Sequence, residues 1–247
     1  MATSISLKLE WTRILSDVYE DAVYRNPLLT AVYERELDYM RDILKDYAIL
    51  VEVGCGTCKF CSSFIDTVSH VVGVDISEEF LEFARQRSAD AFGDLTLVNG
   101  DATNLENLLR NEKQLPLDFW ARRKVVCCVM NTLGIMPDSI RLEVLREMVK
   151  VTGDNGHFFL AVFNGDHFRR GVEEFYRTVP HLCGDVQDSD VNYETTELNI
   201  AETGYYSHWF APAKLEKLVV AAGLRDYRIE QHGIGLFVTS PPIKPIS

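Results

Sequence analysis

The sequence predicts an α/β fold: a seven-stranded, mostly parallel sheet with helices on both faces, a helical extension before the first strand, and an insertion after the fifth. Three observations carry that expectation. Short β-branched and aliphatic runs alternate with stretches of helical periodicity, as βαβ units require. The first run, Ile49-Leu50-Val51-Glu52-Val53, breaks at the glycine turn Gly54-Cys55-Gly56, and the second ends on Asp75. After a last helical stretch, runs at 227–230 and 235–239 stand close enough to pair as a hairpin.

A chain of 247 residues with 47% hydrophobic content is long and apolar enough to bury a substantial single core. The formal net charge of −12 opposes tight binding to nucleic acid or to an anionic membrane surface. No apolar run approaches the length of a membrane span, and the amino terminus lacks the apolar centre of a secretion signal. Six cysteines in a chain this long do not make a secreted disulfide scaffold, so a reduced, cytoplasmic protein is expected.

From the amino terminus, Ile14, Val18 and Ala22 recur at helical spacing, and Asn26-Pro27 interrupts before Leu29, Val32, Leu37, Met40 and Leu44. Residues 1–46 are thus expected to be a helical cap, and 47–164 the ligand-binding core. A helix is expected over 58–67, then a strand at 71–74. Ser77 is placed to cap the next helix, with Phe80, Leu81, Phe83 and Ala84 on its apolar side. Leu95–Val98 is the third strand, closed by Asn99-Gly100-Asp101-Ala102. A helix from Leu105 gives way to a loop at Pro116. Lys124–Met130 is the fourth strand, nearly all apolar as a central parallel strand should be, and it ends on Asn131. Pro137-Asp138-Ser139 opens another helix, Gly153–Gly156 is a turn, and Phe158–Phe163 is the fifth strand.

Glycines at the first turn allow positive φ and a close approach of backbone to ligand. A carboxylate about 20 residues further on suits a ribose whose hydroxyls need an acceptor. The dinucleotide fingerprint wants a third glycine at the sixth position, which here is Lys59. Glu52-Val53-Gly54-Cys55-Gly56-Thr57-Cys58 instead resembles the acidic-x-Gly-x-Gly-x-Gly motif of class I S-adenosylmethionine-dependent methyltransferases, with Cys58 replacing the last glycine. The order of the glycine loop, Asp75, Asp101-Ala102 and the Asn131 strand end extends the resemblance over about three quarters of the chain.

The resemblance implies a Rossmann-like sheet and S-adenosyl-L-methionine as methyl donor. It implies that Glu52 orients the loop or the donor's methionine end and that the backbone of Gly54, Cys55 and Gly56 cradles the donor. Asp75 and Ile76 would meet the ribose, Asp101 the adenine amino group and Ala102 the ring. Asn131 would meet the donor's amino group or the acceptor. An amino-terminal extension often covers the donor pocket in such enzymes, which makes Tyr19, Tyr24 and Tyr33 lid residues, Tyr24 being assigned to the donor; the alternative is aromatic packing.

Residues 165–209 mix charges and aromatics and are too long for a plain connection, so an acceptor-side lid or inserted hairpin is expected, followed by a carboxyl-terminal helix and strand pair over 210–240. Asn131, His167, Tyr206, His208 and Trp209 are the substrate-binding residues this implies. The insertion carries nine acids (Asp166, Glu173, Glu174, Asp185, Asp188, Asp190, Glu194, Glu197, Glu202) against three arginines, so a field over the pocket would favour a neutral or cationic small-molecule acceptor over a phosphorylated one, an amine first; the equal alternative is a solvated acidic loop that never meets substrate. Transfer to an amine or thiolate needs positioning rather than a base, whereas a hydroxyl would gain from one. His167 and His208 are the groups of suitable pKa, but surface or packing roles suit them as well, and no catalytic residue is assigned.

Cys55, Cys58 and Cys61 have metal-like spacing without a fourth ligand; buried packing is the expected role, with no metal. Two other readings stay open. One is a nicotinamide-dependent oxidoreductase, disfavoured by the missing glycine. The other is a donor-binding regulator without catalysis.

Overall fold

The computed structural model describes residues 25–88 and 94–240. Helix α1 (Pro27–Leu44) starts where the sequence breaks: Asn26 accepts from the Leu28 and Leu29 amides, and Pro27 supplies a first-turn residue that needs no amide partner. The Asn26 amide also donates to the Glu174 carbonyl at 2.7 Å, fastening α1 to the later insertion. Tyr19 and Tyr24 lie outside the described residues.

Strands β1 (Ile49–Val53), β2 (His70–Asp75), β3 (Leu95–Asn99), β4 (Lys124–Cys128) and β5 (His157–Phe163) run parallel. With β9 (Arg228–His232) and β10 (Gly235–Ser240) they form one sheet in the order β3-β2-β1-β4-β5-β10-β9, in which β10 is antiparallel to both neighbours. This is the seven-stranded, mostly parallel Rossmann-like sheet expected. Alternate residues of β1 feed opposite cores: Leu50 joins α1 on one face, while Ile49, Val51 and Val53 join the other. On that second face pack α4 (Leu105–Asn111), α6 (Asp138–Thr152) and α9 (Pro212–Ala221).

The helix expected over 58–67 is only one turn, α2 (Lys59–Ser62). Ser62 and Ser63 both turn their hydroxyls onto the Lys59 carbonyl, competing with the helical ladder, and the chain continues as successive turns. Cys58 and Cys61, expected as separate reduced thiols, form a disulfide. Three residues apart on one turn, their Cα atoms lie 5.3 Å apart, within the reach of a disulfide. The fourth strand stops two residues early because Met130 and Asn131 adopt left-handed φ values of 51° and 58°.

Helices α3 (Glu78–Arg87) and α5 (Thr132–Ile135) complete the core elements. The insertion contains α7 (Phe168–Glu174), α8 (Pro180–Cys183) and a three-stranded antiparallel sheet of β6 (Val191–Asn192), β7 (Glu197–Ile200) and β8 (Tyr205–His208). It is a small α/β layer rather than a single hairpin. Among the described residues, no helix is long and apolar enough to cross a membrane.

Candidate functional site

At the carboxyl ends of β1 to β4 the chain leaves one continuous cavity, which extends under the insertion. Glu52, Gly54, Cys55, Gly56, Asp75, Ile76, Asp101, Ala102 and Asn131 all line it. Strand ends at a topological switch point, where β1 is flanked by β2 and β4, are where open α/β sheets bind ligands.

The glycine turn has φ of 70° at Gly54 and 51° at Gly56, a region costly for residues with a Cβ. A Cβ at Gly54 would also meet Thr132 Cγ2 at 2.3 Å, whereas one at Gly56 would meet no protein atom within 4 Å. Asp75 holds the turn in place: Oδ2 accepts from the Gly56 amide at 2.7 Å and Oδ1 from the Ser77 amide at 2.9 Å. The Ile76 amide also acts on this carboxylate, whose four lone-pair sites still leave acceptor capacity for a ribose hydroxyl. Burial pushes its pKa up, against the amide hydrogen bonds that favour the charged form.

Glu52 is buried and accepts from the Cys61 amide at 3.0 Å, tying the strand end to the turn beyond the loop. Burial raises its pKa well above the usual carboxylate range, and the Asp75 charge adds to the rise. Asp101 caps the 3-10 turn 102–104, its Oδ1 accepting from the Thr103 amide at 2.9 Å and hydroxyl at 2.8 Å. Its other oxygen makes no hydrogen bond within the described residues. A left-handed glycine turn, a carboxylate with spare acceptor capacity and a further carboxylate one βα unit on are a donor set that fits an adenosine-bearing ligand.

Asn131 stands at the cavity with its side chain engaged in the protein. Oδ1 accepts from the Phe163 amide at 3.0 Å, and Nδ2 donates to Ser207 Oγ at 3.2 Å and the His208 carbonyl at 3.3 Å. The residue therefore brackets β4, β5 and β8 together. Beside it, the Met130 amide donates to the buried Glu36 carboxyl of α1 at 3.0 Å.

The lining does not include His167, Tyr206, His208 or Trp209. His167 Nε2 lies 2.7 Å from Gln231 Nε2. Tyr206 joins Glu197 at 2.7 Å and the buried Arg141 guanidinium at 3.2 Å. His208 stands over Phe210, its pKa pushed down to about 4 by burial and then by the Arg141 charge. Trp209 is fully buried and donates from Nε1 to the Tyr176 hydroxyl at 2.8 Å. None of the insertion's nine acids lines the cavity either; among the described residues its charged lining is Glu52, Lys59, Asp75 and Asp101, all in the core segments.

Instead the insertion end is walled by Phe163, Phe175, Tyr176, Tyr205 and Ser207, facing Ile135 and Met136. None of these is among the substrate-binding residues expected from the sequence. Leu29 and Tyr33 of α1 also line the cavity, Tyr33 edge-on to Phe60 at 6.2 Å.

Residues 44–219 match the family model described as a methyltransferase domain. The chain belongs to that family. By that family and by its sheet it is a class I methyltransferase. The chain is similar in fold to DhpI in the DhpI-SAM-HEP complex, at 16% identity over 98% of this chain and 99% of that one, with a TM-score of 0.62. It is similar to CalS10, an amino pentose methyltransferase from Micromonospora echinaspora, at 19% identity over 90% and 96% of the two chains, TM-score 0.58. DesVI of Streptomyces venezuelae is 19% identical over 92% and 98%, TM-score 0.57. No curated protein matches the sequence.

In this methyltransferase, Gly54, Gly56, Asp75, Asp101 and Ala102 line the cavity and would hold the nucleoside part of a bound S-adenosylmethionine. When bound, S-adenosylmethionine supplies an electrophilic methyl group on sulfur. The chain's own contribution is to hold it, align an acceptor and exclude water.

Proposed function

We propose that the enzyme methylates a small, mostly apolar molecule through a neutral amine. One observation carries this reading: the cavity runs without a break from the donor segments to an apolar aromatic wall, and its charged lining residues, among those described, all belong to the donor segments. A cationic acceptor would lose hydration against that wall, with no carboxylate among the described residues of the wall to replace it. A hydroxyl acceptor would gain from a base, and the insertion end offers no His, Asp, Glu or Lys among the described lining residues. A neutral amine needs neither.

CalS10, which is an amino pentose methyltransferase, lends support from a similar fold. The acidity of the chain favours a small cytoplasmic metabolite over a nucleic acid. We read Asp75 as the ribose partner, Asp101 as the adenine partner and Asn131 as the bracket of the acceptor end, within a single domain.

The test is a screen of amine, thiol, hydroxyl and carboxyl compounds with methyl-labelled S-adenosylmethionine, read by mass spectrometry. Label in an apolar primary or secondary amine is expected. Label confined to hydroxyl or carboxyl compounds would overturn the amine, and donor binding without transfer to any class would favour a regulator.

A further inference from the structure

Helix α1 turns one face to the cavity. Leu29 and Tyr33 line it, and Glu36 follows them at the i, i+4, i+7 spacing of a single helical stripe. Glu36 is 0% exposed and holds a residue of the cavity wall: the Met130 amide donates to its Oε1 at 3.0 Å. Its Oε2 is buried and has no hydrogen-bond partner among the described residues. A buried carboxyl with one oxygen unpaired is costly whether charged or neutral, so the charges around it decide which state it takes.

From β1, Glu52 faces the same side of the sheet. It lies in register with Cys127, which belongs to the core that α1 covers, and its charge acts on Glu36. Glu52 also lines the cavity. From β4, the titratable groups within the field of Glu36 are Cys127 and Cys128, both kept as neutral thiols by burial. Strands β5 and β10 present only apolar side chains, such as Phe159 and Phe237, to this core. On α1 itself, Arg35 is exposed. Burial first, and then the Glu52 charge, push Glu36 well above the ordinary carboxylate range, and among the described residues no cation acts against them. Two buried acids thus stand at the ends of β1 and β4 without a counter-charge.

A methyl donor supplies that charge. S-adenosylmethionine is a net cation at neutral pH through its sulfonium, whereas S-adenosylhomocysteine, which remains after transfer, is a neutral zwitterion of nearly the same shape. We propose that Glu36 is a specificity-determining residue for the donor: it is a carboxylate when S-adenosylmethionine fills the cavity, it keeps its proton when S-adenosylhomocysteine does, and the cavity thereby favours donor over product. The inference rests on S-adenosylmethionine as the donor and not on the amine reading. The balance is one positive charge in and one proton out to the buffer. Unit charges about 10 Å apart at an effective dielectric of about 20 interact enough to change binding about tenfold, so Glu36 acts without touching the ligand.

The test titrates the full chain with each ligand by calorimetry at pH 7, in phosphate and in Tris, whose different ionisation heats report the protons exchanged. Wild type is compared with Glu36→Gln, which keeps an acceptor for the Met130 amide and cannot ionise. The preference for S-adenosylmethionine over S-adenosylhomocysteine should fall about tenfold in the variant, through weaker binding of the first ligand alone. S-adenosylmethionine should also release more protons from wild type than from the variant, and S-adenosylhomocysteine equal numbers. Protons exchanged by the amino groups of the ligands are common to both proteins and cancel. A merely structural role for Glu36 would weaken both ligands together and leave the proton counts equal.

A preference that falls less than threefold, or equal proton release by S-adenosylmethionine from the two proteins, overturns the proposal. If Glu36→Gln binds neither ligand, Glu36→Met carries the same comparison, because an apolar chain of that length can replace a buried charge without loss of stability. If that variant also binds neither, Glu36 is a structural residue and the proposal falls. Wild type that binds neither ligand would remove S-adenosylmethionine as the donor, whereas binding of both with an unchanged preference sinks the role of Glu36 alone.

Discussion

Asp75 accepts a hydrogen bond from the Gly56 amide at 2.7 Å, so the carboxylate ending β2 fixes the shape of the glycine turn ending β1. The two motifs are 19 residues apart in sequence and act as one unit. Asp75→Ala is expected to weaken S-adenosylmethionine binding by about 1.5–3 kcal/mol, by removing charge-assisted hydrogen bonds to ligand and loop. Isothermal titration checks this. Unchanged affinity would remove Asp75 from the donor site, and NADH binding more tightly than S-adenosylmethionine would overturn the donor.

Asn131→Ala is expected to destabilise the fold by about 2–4 kcal/mol, since the Phe163 amide and His208 carbonyl lose their buried partner. Urea denaturation measures the change. A loss below about 0.5 kcal/mol would mean that the bracket between β4, β5 and β8 is not the support the geometry describes.

Glu36 gives a pH signature. Burial raises its pKa well above the ordinary carboxylate value, so above about pH 4.3 the folded state binds more protons than the unfolded state. Its contribution is complete below that value and is lost as pH rises through the raised folded pKa. Glu36→Gln keeps an acceptor for the Met130 amide and removes the titration. The stability of the variant relative to wild type should therefore grow from pH 5 to pH 9. The comparison cancels the buried histidines His157 and His208, held down at about 4, which lower stability on the acid side. A difference flat with pH would contradict the assignment.

The Cys58–Cys61 disulfide leaves Cys55, Cys127, Cys128 and Cys183 as buried free thiols. Peptide mapping without reductant should recover residues 58 and 61 cross-linked, with those four alkylated only after unfolding. Cys58→Ser is expected to lower stability by on the order of 2 kcal/mol, the loop-closure value for so short a ring. Metal analysis should find no stoichiometric zinc. Zinc that is lost in a Cys58→Ser/Cys61→Ser variant would reverse this reading.

The insertion's acids should be kinetically silent. Asp185, Glu194 and Glu202 are exposed and none lines the cavity. Reversing all three to Lys should leave KM for the physiological acceptor within twofold at ordinary ionic strength, where exposed charges are screened. A larger, salt-sensitive change would restore the electrostatic argument for a cationic acceptor.

The donor half of the site was legible because its signals are local. A strand that ends on Gly54-Cys55-Gly56, and another that ends on Asp75, can each be read within a few residues and fall at the same edge of a parallel sheet. Asn131 was legible as a position but not as a bracket, because its partners lie 32, 76 and 77 residues away. The acceptor wall was less legible still. Nothing in the local pattern separates Tyr176 from Tyr206; one lines the cavity because Trp209, 33 residues on, holds its hydroxyl, and the other faces Arg141 and Glu197. The short α2 was missed because Ser62 and Ser63 act on the backbone through side chains that helical periodicity does not count.

The Asn131 bracket divides the acceptor wall into two kinds of position. Ser207 is joined to the end of β4 by its side chain through Asn131, so altering it removes a contact of that unit, while Phe163 is joined through its backbone amide. Ile135, Met136 and Phe175 border the same cavity through apolar side chains outside that hydrogen-bonded unit. Chains descended from this one can thus explore new acceptors by exchanging side-chain volume at the second kind of position while the donor machinery is inherited intact, and directed evolution of substrate range has the same three residues as its natural starting library.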